Sequence, residues 1–328
     1  MDSEREHYDA LCAGIATLDI LLYGPDASLF TKDTVKAESF LMANGGDASN
    51  TAVSLAKLGM KTVLSACIGD DETGKILKGS LREKGVYTEG ILTVEGAKTS
   101  TPVLIVDPLG ERHIIRIPES ANAHFSDTSV SDGLLKRSGH LHVGSANVLK
   151  SLDGKPLARL LKRAKSFGLS TSMDVSYNDS KDTLADIEEA LYSCDIFLPS
   201  IQEASQISGK ESLRDIVSFF MKYPLKVFGI KLGKDGVYLK EGDEEVSLPS
   251  LYEGSPVDTT GAGDAFFAGF LYGYLNGYDL RSCGLLGSSQ ATSVLSDKGA
   301  VTGVYDIHQN ISLIERSGYT LQKKEEAE

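Results

Sequence analysis

The sequence predicts an α/β fold, with mostly parallel strands joined by crossover helices and both sheet faces covered. Two observations predict it. Short apolar runs, too brief for helices, alternate along the chain with longer runs of helical spacing. The composition, 41% hydrophobic and 24% charged over 328 residues, is that of a globular chain. That length suffices for one large α/β domain or two ordinary ones.

ALCAGIA (10–16) is the first strand, an apolar run closed by a polar break. ASNTAVSLAKL (48–58) has helical spacing and stops at Gly59, a residue suited to the position after a helix. TVLSACIG (62–69) reads as a strand. TGKILKGSLREKG (73–85) is helical, with Ile76, Leu77 and Leu81 on one face and Gly85 at its end. HLHVG (140–144), STSMDV (170–175), DIFLPS (195–200) and LKVFGIKLG (225–233) continue the strands. Helical patterns near 153–166, 183–191 and 201–221 lie between them. From Ala262 the residues Phe266, Phe267, Phe270, Leu271, Tyr274 and Leu275 follow helical spacing, and Asn276-Gly277 closes that helix.

Two segments break the alternation. ESFLMANGG (38–46) follows a loop-like stretch of mixed charge. TSTPVLIVDPLGERHIIRIPES (99–120) reads as a hairpin turning at Asp107-Pro108-Leu109-Gly110. They make either a small separate sheet over the active site or an ordinary edge hairpin.

The net charge is −13, from 46 acidic and 33 basic residues. Such a surface repels nucleic acid and anionic lipid, so any anionic ligand needs a local binding device. No run approaches the ~18 apolar residues of a membrane span, and the charged, acidic N-terminus is unlike a secretory leader. A cytoplasmic chain is the expectation. Cys12, Cys67, Cys194 and Cys283 lie far apart without a C-x-x-C pair. Three of them sit in apolar strand-like contexts and read as small buried hydrophobes in a reducing compartment, not as zinc ligands.

Four constellations carry chemistry. Gly261-Ala262-Gly263 opens the helix at 262, where backbone amides lack intrahelical partners and can cradle an anion. Asp264 beside them is either a first-turn acid favouring the helix dipole or a general base for a substrate hydroxyl. In ANGGDASNTA (43–52), Gly45 and Gly46 precede Asp47, Ser49 and Asn50. Those short polar side chains suit a polyhydroxylated ligand, although helix capping favours the same residue types. Asp19, in GIATLDILLYG, is read at the carboxyl end of the first strand. The apolar residues after it leave its carboxylate partly desolvated, needing sugar hydroxyls or local N–H groups as partners. In IKLGKDGVYL (230–239), Lys231, Gly233, Lys234, Asp235 and Gly236 form either a nucleotide-facing loop or a plain hairpin.

Together these motifs resemble the ribokinase-like (PfkB) carbohydrate kinase family, in the family's order and over nearly the whole chain. G-G-x-x-x-N appears as Gly45, Gly46 and Asn50, G-D-D-x-x-G as IGDDETG (68–74), and D-T-T-G-A-G-D as Asp258 to Asp264. The resemblance implies a single ribokinase-like Rossmann-type α/β domain over 1–328, with lid strands inserted at about 17–44 and 97–120. It implies ATP-dependent phosphorylation of a hydroxymethyl group, with Asp264 as base and the amides of Gly261, Ala262 and Gly263 stabilising the phosphoryl charge. Asp19, Gly45, Gly46 and Asn50 would contact the sugar, and the loop with Lys231, Gly233 and Gly236 would face ATP. Mg²⁺ would bridge the phosphates, with Glu203 reaching it through water. A monovalent cation, K⁺ or Na⁺, would sit near Asp258 and the loop 293–303. Two positions depart from the pattern: Ser200 replaces the asparagine of P-N-x-x-E, and Ser176 that of D-x-N. Both lost amides would lie near the phosphates and metal waters, where a serine hydroxyl has shorter reach.

For the acceptor, Asp47 stands where ribokinases typically carry lysine and some ketodeoxygluconate kinases carry aspartate. Two acidic acceptors, Asp19 and Asp47, suit a neutral hydroxyl-rich sugar, a ketohexose or pentose, ahead of a ribonucleoside or a ketodeoxy sugar acid. A phosphorylated sugar would need basic residues from the lid, such as Arg112 or Arg116, and a nucleoside an aromatic slot from Phe30, Phe40 or Tyr23. A non-catalytic sugar-binding relative is the reading of another class. A homodimer through the lids is expected by resemblance.

Overall fold

The structure is a computed structural model that describes residues 6–107, 112–117, 119–177 and 183–324. In chain order its strands are β1 (Ala10–Ala13), β2 (Thr17–Tyr23), β3 (Ser39–Gly45), β4 (Thr62–Gly69), β5 (Tyr87–Val94), β6 (Val103–Val106), β7 (Arg112–Ile115), β8 (His140–Ala146), β9 (Ser170–Val175), β10 (Ile196–Phe197), β11 (Val227–Lys231), β12 (Val237–Glu241) and β13 (Glu244–Leu248). The helices are α1 (Asp47–Lys57), α2 (Glu72–Glu83), α3 (Asp132–Leu135), α4 (Lys155–Ser166), α5 (Thr183–Leu191), α6 (Ile201–Ser208), α7 (Leu213–Phe220), α8 (Ala262–Leu275), α9 (Leu280–Leu295) and α10 (Ile307–Arg316).

The large sheet has the order β13-β12-β11-β10-β9-β8-β1-β4-β5. Its pairings are parallel from β5 across to β11, and β12 runs antiparallel to both neighbours. Every residue of β4 and β8 is buried, as expected where helices cover both faces. One core, with Leu141, Leu160 and Phe228, fills one face; another, with Leu55, Phe267 and Leu285, fills the other.

The two segments that break the alternation join β2 in one small sheet, β3-β2-β6-β7, which faces the carboxyl ends of β1, β8 and β9 across a cleft. β2 is its pivot, antiparallel to β3 and parallel to β6, and β6–β7 is the expected hairpin. The expected turn at 107–110 falls mostly outside the described residues.

Three local readings change. The run at 10–16 is a strand only to Ala13, because Gly14 turns the chain at φ +143°, where a Cβ would strike the Gly144 carbonyl. Asp19 therefore lies within β2 of the small sheet, not at the carboxyl end of β1. The helical pattern at 201–221 is two helices, since Gly209 ends α6 in the left-handed conformation and Ser212 caps α7 by accepting from the Asp215 amide. Sequence periodicity did not reveal β5, β13, α9 or α10.

Candidate active site

The first turn of α8 forms the floor of the site. Gly261 precedes it at φ +78°, and a Cβ there would lie 2.6 Å from that of Ala300. No side chain caps this helix start, and the Ala262 amide makes only a long 3.3 Å bond to the Thr259 carbonyl. The amides at Gly261–Gly263 therefore stand available to an anion, with the positive end of the helix dipole behind them.

Asp264 projects from this turn and is buried. Its Oδ2 accepts a 2.8 Å hydrogen bond from Asn50 Nδ2 of α1. Burial holds its carboxyl well above the usual carboxylate range; the charges of Asp47 and Asp174 add to the rise, while the Asn50 bond and Lys231 oppose it. A carboxylate made basic in this way is suited to take a proton from an alcohol.

Gly46, at φ +86°, starts α1 without a side-chain cap, so none of Asp47, Ser49 and Asn50 serves the capping role. Asp47 Oδ2 instead accepts from Ser145 Oγ at 2.6 Å and from Ser176 Oγ at 2.7 Å. Ser145 and Asn147 both take positive φ, +63° and +72°, a conformation costly for residues with a Cβ. Ser176, which replaces the asparagine expected near the phosphates, is thus turned toward Asp47. Neither Ser145 nor its strained backbone could be singled out from sequence.

Asp19 faces the cleft from the lid. Gly45 on the paired strand lies directly against it: a Cβ at 45 would overlap the Asp19 carboxylate. Thr17 Oγ1 donates to Asp19 Oδ1 at 2.5 Å. Burial pushes the Asp19 carboxyl up to about 6, against the pull of Thr17 and Arg116. Arg116 falls one residue past β7 and still lines the cleft.

A cleft of about 720 Å³ joins these groups, with Asp19, Leu104 and Arg116 from the lid side and Asn50, Ser145 and Asp264 from the body. Phe30, Phe40 and Tyr23 are not among its lining residues; Tyr177 is its aromatic side chain.

The residues expected at the nucleotide have local duties. Ser200 Oγ accepts from the Glu203 amide, and Glu203 Oε2 accepts from the Ser200 amide at 2.6 Å, a capping box that starts α6. Glu203 is therefore engaged at a helix end. Gly233 and Gly236, at φ +61° and +94°, make a tight turn between β11 and β12. Lys231, the last residue of β11, sends Nζ to Asp174 at the end of β9, at 2.8 and 3.1 Å. Asp258 accepts from the amide and hydroxyl of Thr260 and from the Gly299 amide, tying the approach to α8 to the loop after α9. Among the described residues, no three His, Cys, Asp or Glu side chains are grouped to hold a metal ion. The four cysteines are free and buried, and no described helix is long and apolar enough to cross a membrane.

A sequence model described as pfkB family carbohydrate kinase matches residues 9–306. An uncharacterized sugar kinase of Archaeoglobus fulgidus is 33% identical over 253 residues, covering 76% of this chain and 97% of that protein. An ATP-dependent 6-phosphofructokinase of Thermoanaerobacterium thermosaccharolyticum is 26% identical, covering 93% of each. The Arabidopsis thaliana ribokinase, solved with ribose and ATP, superposes with a TM-score of 0.78 at 23% identity over 94% of this chain and 98% of that one. This last likeness shows the fold, a ribokinase-like α/β sheet with a separate lid sheet. The protein is a phosphotransferase that uses an alcohol group as acceptor. Within that class, the chain belongs to the pfkB family of carbohydrate kinases and is a sugar kinase. Other relatives are named nucleoside kinase, 5-dehydro-2-deoxygluconokinase, fructokinase and ribokinase, so kinship alone leaves the substrate open.

Proposed function

We propose that the protein transfers the γ-phosphoryl group of ATP to a hydroxymethyl group of a small neutral sugar, a ketohexose or a pentose. One observation carries the reading: a basic, buried Asp264 held by Asn50 at a glycine-opened helix start, in a cleft whose lid side presents Asp19. Asp264 accepts the proton of the attacking hydroxyl. The amides of Gly261, Ala262 and Gly263 receive the charge that builds on the transferring group. Asp19 and Asn50, which both line the cleft, bind other sugar hydroxyls. An anionic sugar would meet Asp19, Asp47 and Asp264 in the same cleft as Arg116 and Lys150, and the excess of acids favours a neutral one.

The glycine cradle fits a phosphate, so ATP fits this floor. ATP supplies the phosphoryl group, and Mg²⁺ bound to its phosphates would screen their charge. Asp174 is paired with Lys231 and Glu203 with a helix end, so the ion would be held by phosphate and water more than by this chain. A monovalent cation beside Asp258 belongs to the same proposal.

A homodimer through the lids is supported by the outer face of the small sheet. Ile20, Leu22, Phe40, Met42, Val103 and Ile115 share that face by register, with Phe40 60% and Ile115 57% exposed.

The test is ADP release by purified protein over neutral sugars, polyols, nucleosides and sugar acids with Mg²⁺, with and without K⁺ or Na⁺. Turnover on a neutral sugar is expected. Asp264→Asn should lower kcat by at least ~10²-fold while sugar still raises the melting temperature. No turnover on any acceptor, with sugar-induced stabilisation intact, would instead identify a non-catalytic sugar binder.

A further inference from the structure

Asp47 sits in a bracket built from the ends of two strands. Between the pairs Val143–Met173 and Ala146–Val175, two residues of β8 stand opposite one of β9, a bulge of the kind that re-aims a side chain. Within it Ser145 takes φ +63°, and its hydroxyl donates to Asp47 Oδ2 at 2.6 Å. Past Ala146 and Val175 the side chain of Asn147 carries on the pairing. Its Nδ2 donates to the Ser176 carbonyl at 2.9 Å, and its Oδ1 accepts from the Ser176 amide at 3.0 Å. Ser176, held in this way, donates its hydroxyl to the same Asp47 oxygen at 2.7 Å. The start of α1 lies close against the bulge, since a Cβ on Gly144 would stand 2.6 Å from the Ala48 amide nitrogen. Asp47 Oδ2 thus takes two hydroxyls, whereas Oδ1 takes no hydrogen bond among the described residues, and the residue lines the cleft.

Stability alone does not call for this arrangement. A serine at positive φ is strained, and such strain persists chiefly where a side chain must be aimed. What the strain achieves here is a carboxylate with one oxygen fixed and the other left for a ligand. Resting on the reading of this cleft as a sugar site, we propose that Ser145 and Ser176 are positioning residues that fix Asp47 to accept a hydroxyl of the acceptor from the body side, opposite Asp19 on the lid. Asp19 is built in the same way, with Thr17 occupying its Oδ1. An ionised carboxylate only accepts hydrogen bonds. The acceptor must therefore present an O–H to each of the two acids, besides the hydroxyl that is phosphorylated. This narrows the substrate class to sugars with free hydroxyls on both faces. A deoxy carbon on the Asp47 side leaves a fixed carboxylate without its donor, and a carboxylate or phosphate there sets two anions together. Ser176 then serves the sugar's side of the cleft, and the hydroxyl does not stand in for the amide lost near the phosphates.

The test compares kcat/KM for the neutral sugar that wild type turns over with kcat/KM for each of its monodeoxy analogues, on the full-length protein. Wild type should discriminate by at least about tenfold against two analogues, one lacking the hydroxyl at Asp19 and one lacking that at Asp47. Asp47→Ala should abolish one of these discriminations and leave the other. Glycine suits the φ of +63°, so Ser145→Gly removes the hydroxyl without adding strain. It should weaken the same discrimination as Asp47→Ala and do nothing further in the Asp47→Ala background. Ser176→Ala carries the same readouts if the glycine variant does not fold. Affinity for a non-hydrolysable ATP analogue should stay within about threefold of wild type in every variant. If Asp47→Ala leaves every discrimination unchanged, or loses only affinity for the ATP analogue, Asp47 does not face the sugar and the inference falls. It falls too if discrimination responds to Asp47→Ala but to neither serine variant. If wild type neither turns over nor is stabilised by any neutral sugar, the reading of the cleft itself falls, and this inference with it.

Discussion

Asn50 and Asp264, 214 positions apart in the chain, meet through a 2.8 Å hydrogen bond at the floor of the cleft. The bond ties the first turn of α1 to the first turn of α8, and so joins the motif proposed to face the sugar to the one proposed to face the phosphate. It also acts on the proposed base, because a donor to the ionised Asp264 carboxylate lowers the pKa that burial raises.

Asn50→Ala should therefore weaken the enzyme most at low pH. Asp264 must be ionised to accept a proton, and losing the donor lifts its pKa further. The acidic limb of the kcat/KM profile should move to higher pH, by about one unit for a hydrogen bond to a charged group worth about 1.5 kcal/mol. An unmoved limb would show that the bond does not tune the base.

Asp19 predicts a pH-dependent stability. Its folded pKa, about 6, lies above the ordinary 3.8. The native state thus holds a proton that the unfolded chain has released, and stability declines as pH rises between those values. The integrated loss from this site is about 3 kcal/mol. Asp19→Asn keeps an acceptor for Thr17 and carries no charge. Its melting temperature relative to wild type should climb by several degrees between about pH 4 and about pH 7, while sugar binding weakens. A constant difference across that range would refute the assignment.

Gly269 lies where α8 crosses α9, and a Cβ there would strike the Leu286 carbonyl. Gly269→Ala should destabilise by about 1–3 kcal/mol through forced separation of the two helices. At a temperature where the variant is folded, its KM for sugar should match wild type, which steady-state kinetics beside a melting curve would establish.

Phe40→Asp should leave the fold intact and disrupt the proposed lid dimer, since a carboxylate on that apolar face is costly to bury. Sedimentation velocity would show a monomer where wild type is dimeric. A wild-type protein that is monomeric at micromolar concentration would remove the dimer from the picture.

Much of this was legible in residues read locally. Strand–helix alternation announced the sheet, and DTTGAGD announced the helix start, because glycine at φ +78° and an acid in a first turn are local backbone matters. Capping chemistry was legible only in part. Asp47, Ser49 and Asn50 resembled caps and cap nothing, whereas Ser200 and Glu203, expected at the nucleotide, form a capping box. Asp19 was misplaced because Gly14 ends β1 early, and nothing in ALCAGIA marks where pairing with the neighbouring strands stops.

By itself, the sequence determined the fold class, the glycine-opened helix start and the residue types available for chemistry, since these follow from periodicity, backbone freedom and charge within a dozen residues. Only the tertiary structure decided which of them meet. It put Asp19 on the lid over Gly45, gave Asp47 to Ser145 and Ser176, and set Lys231 against Asp174 beside Gly263. The physical reason is that burial and pairing, the two effects that set the charge and proton affinity of these groups, depend on neighbours supplied by distant segments of the chain.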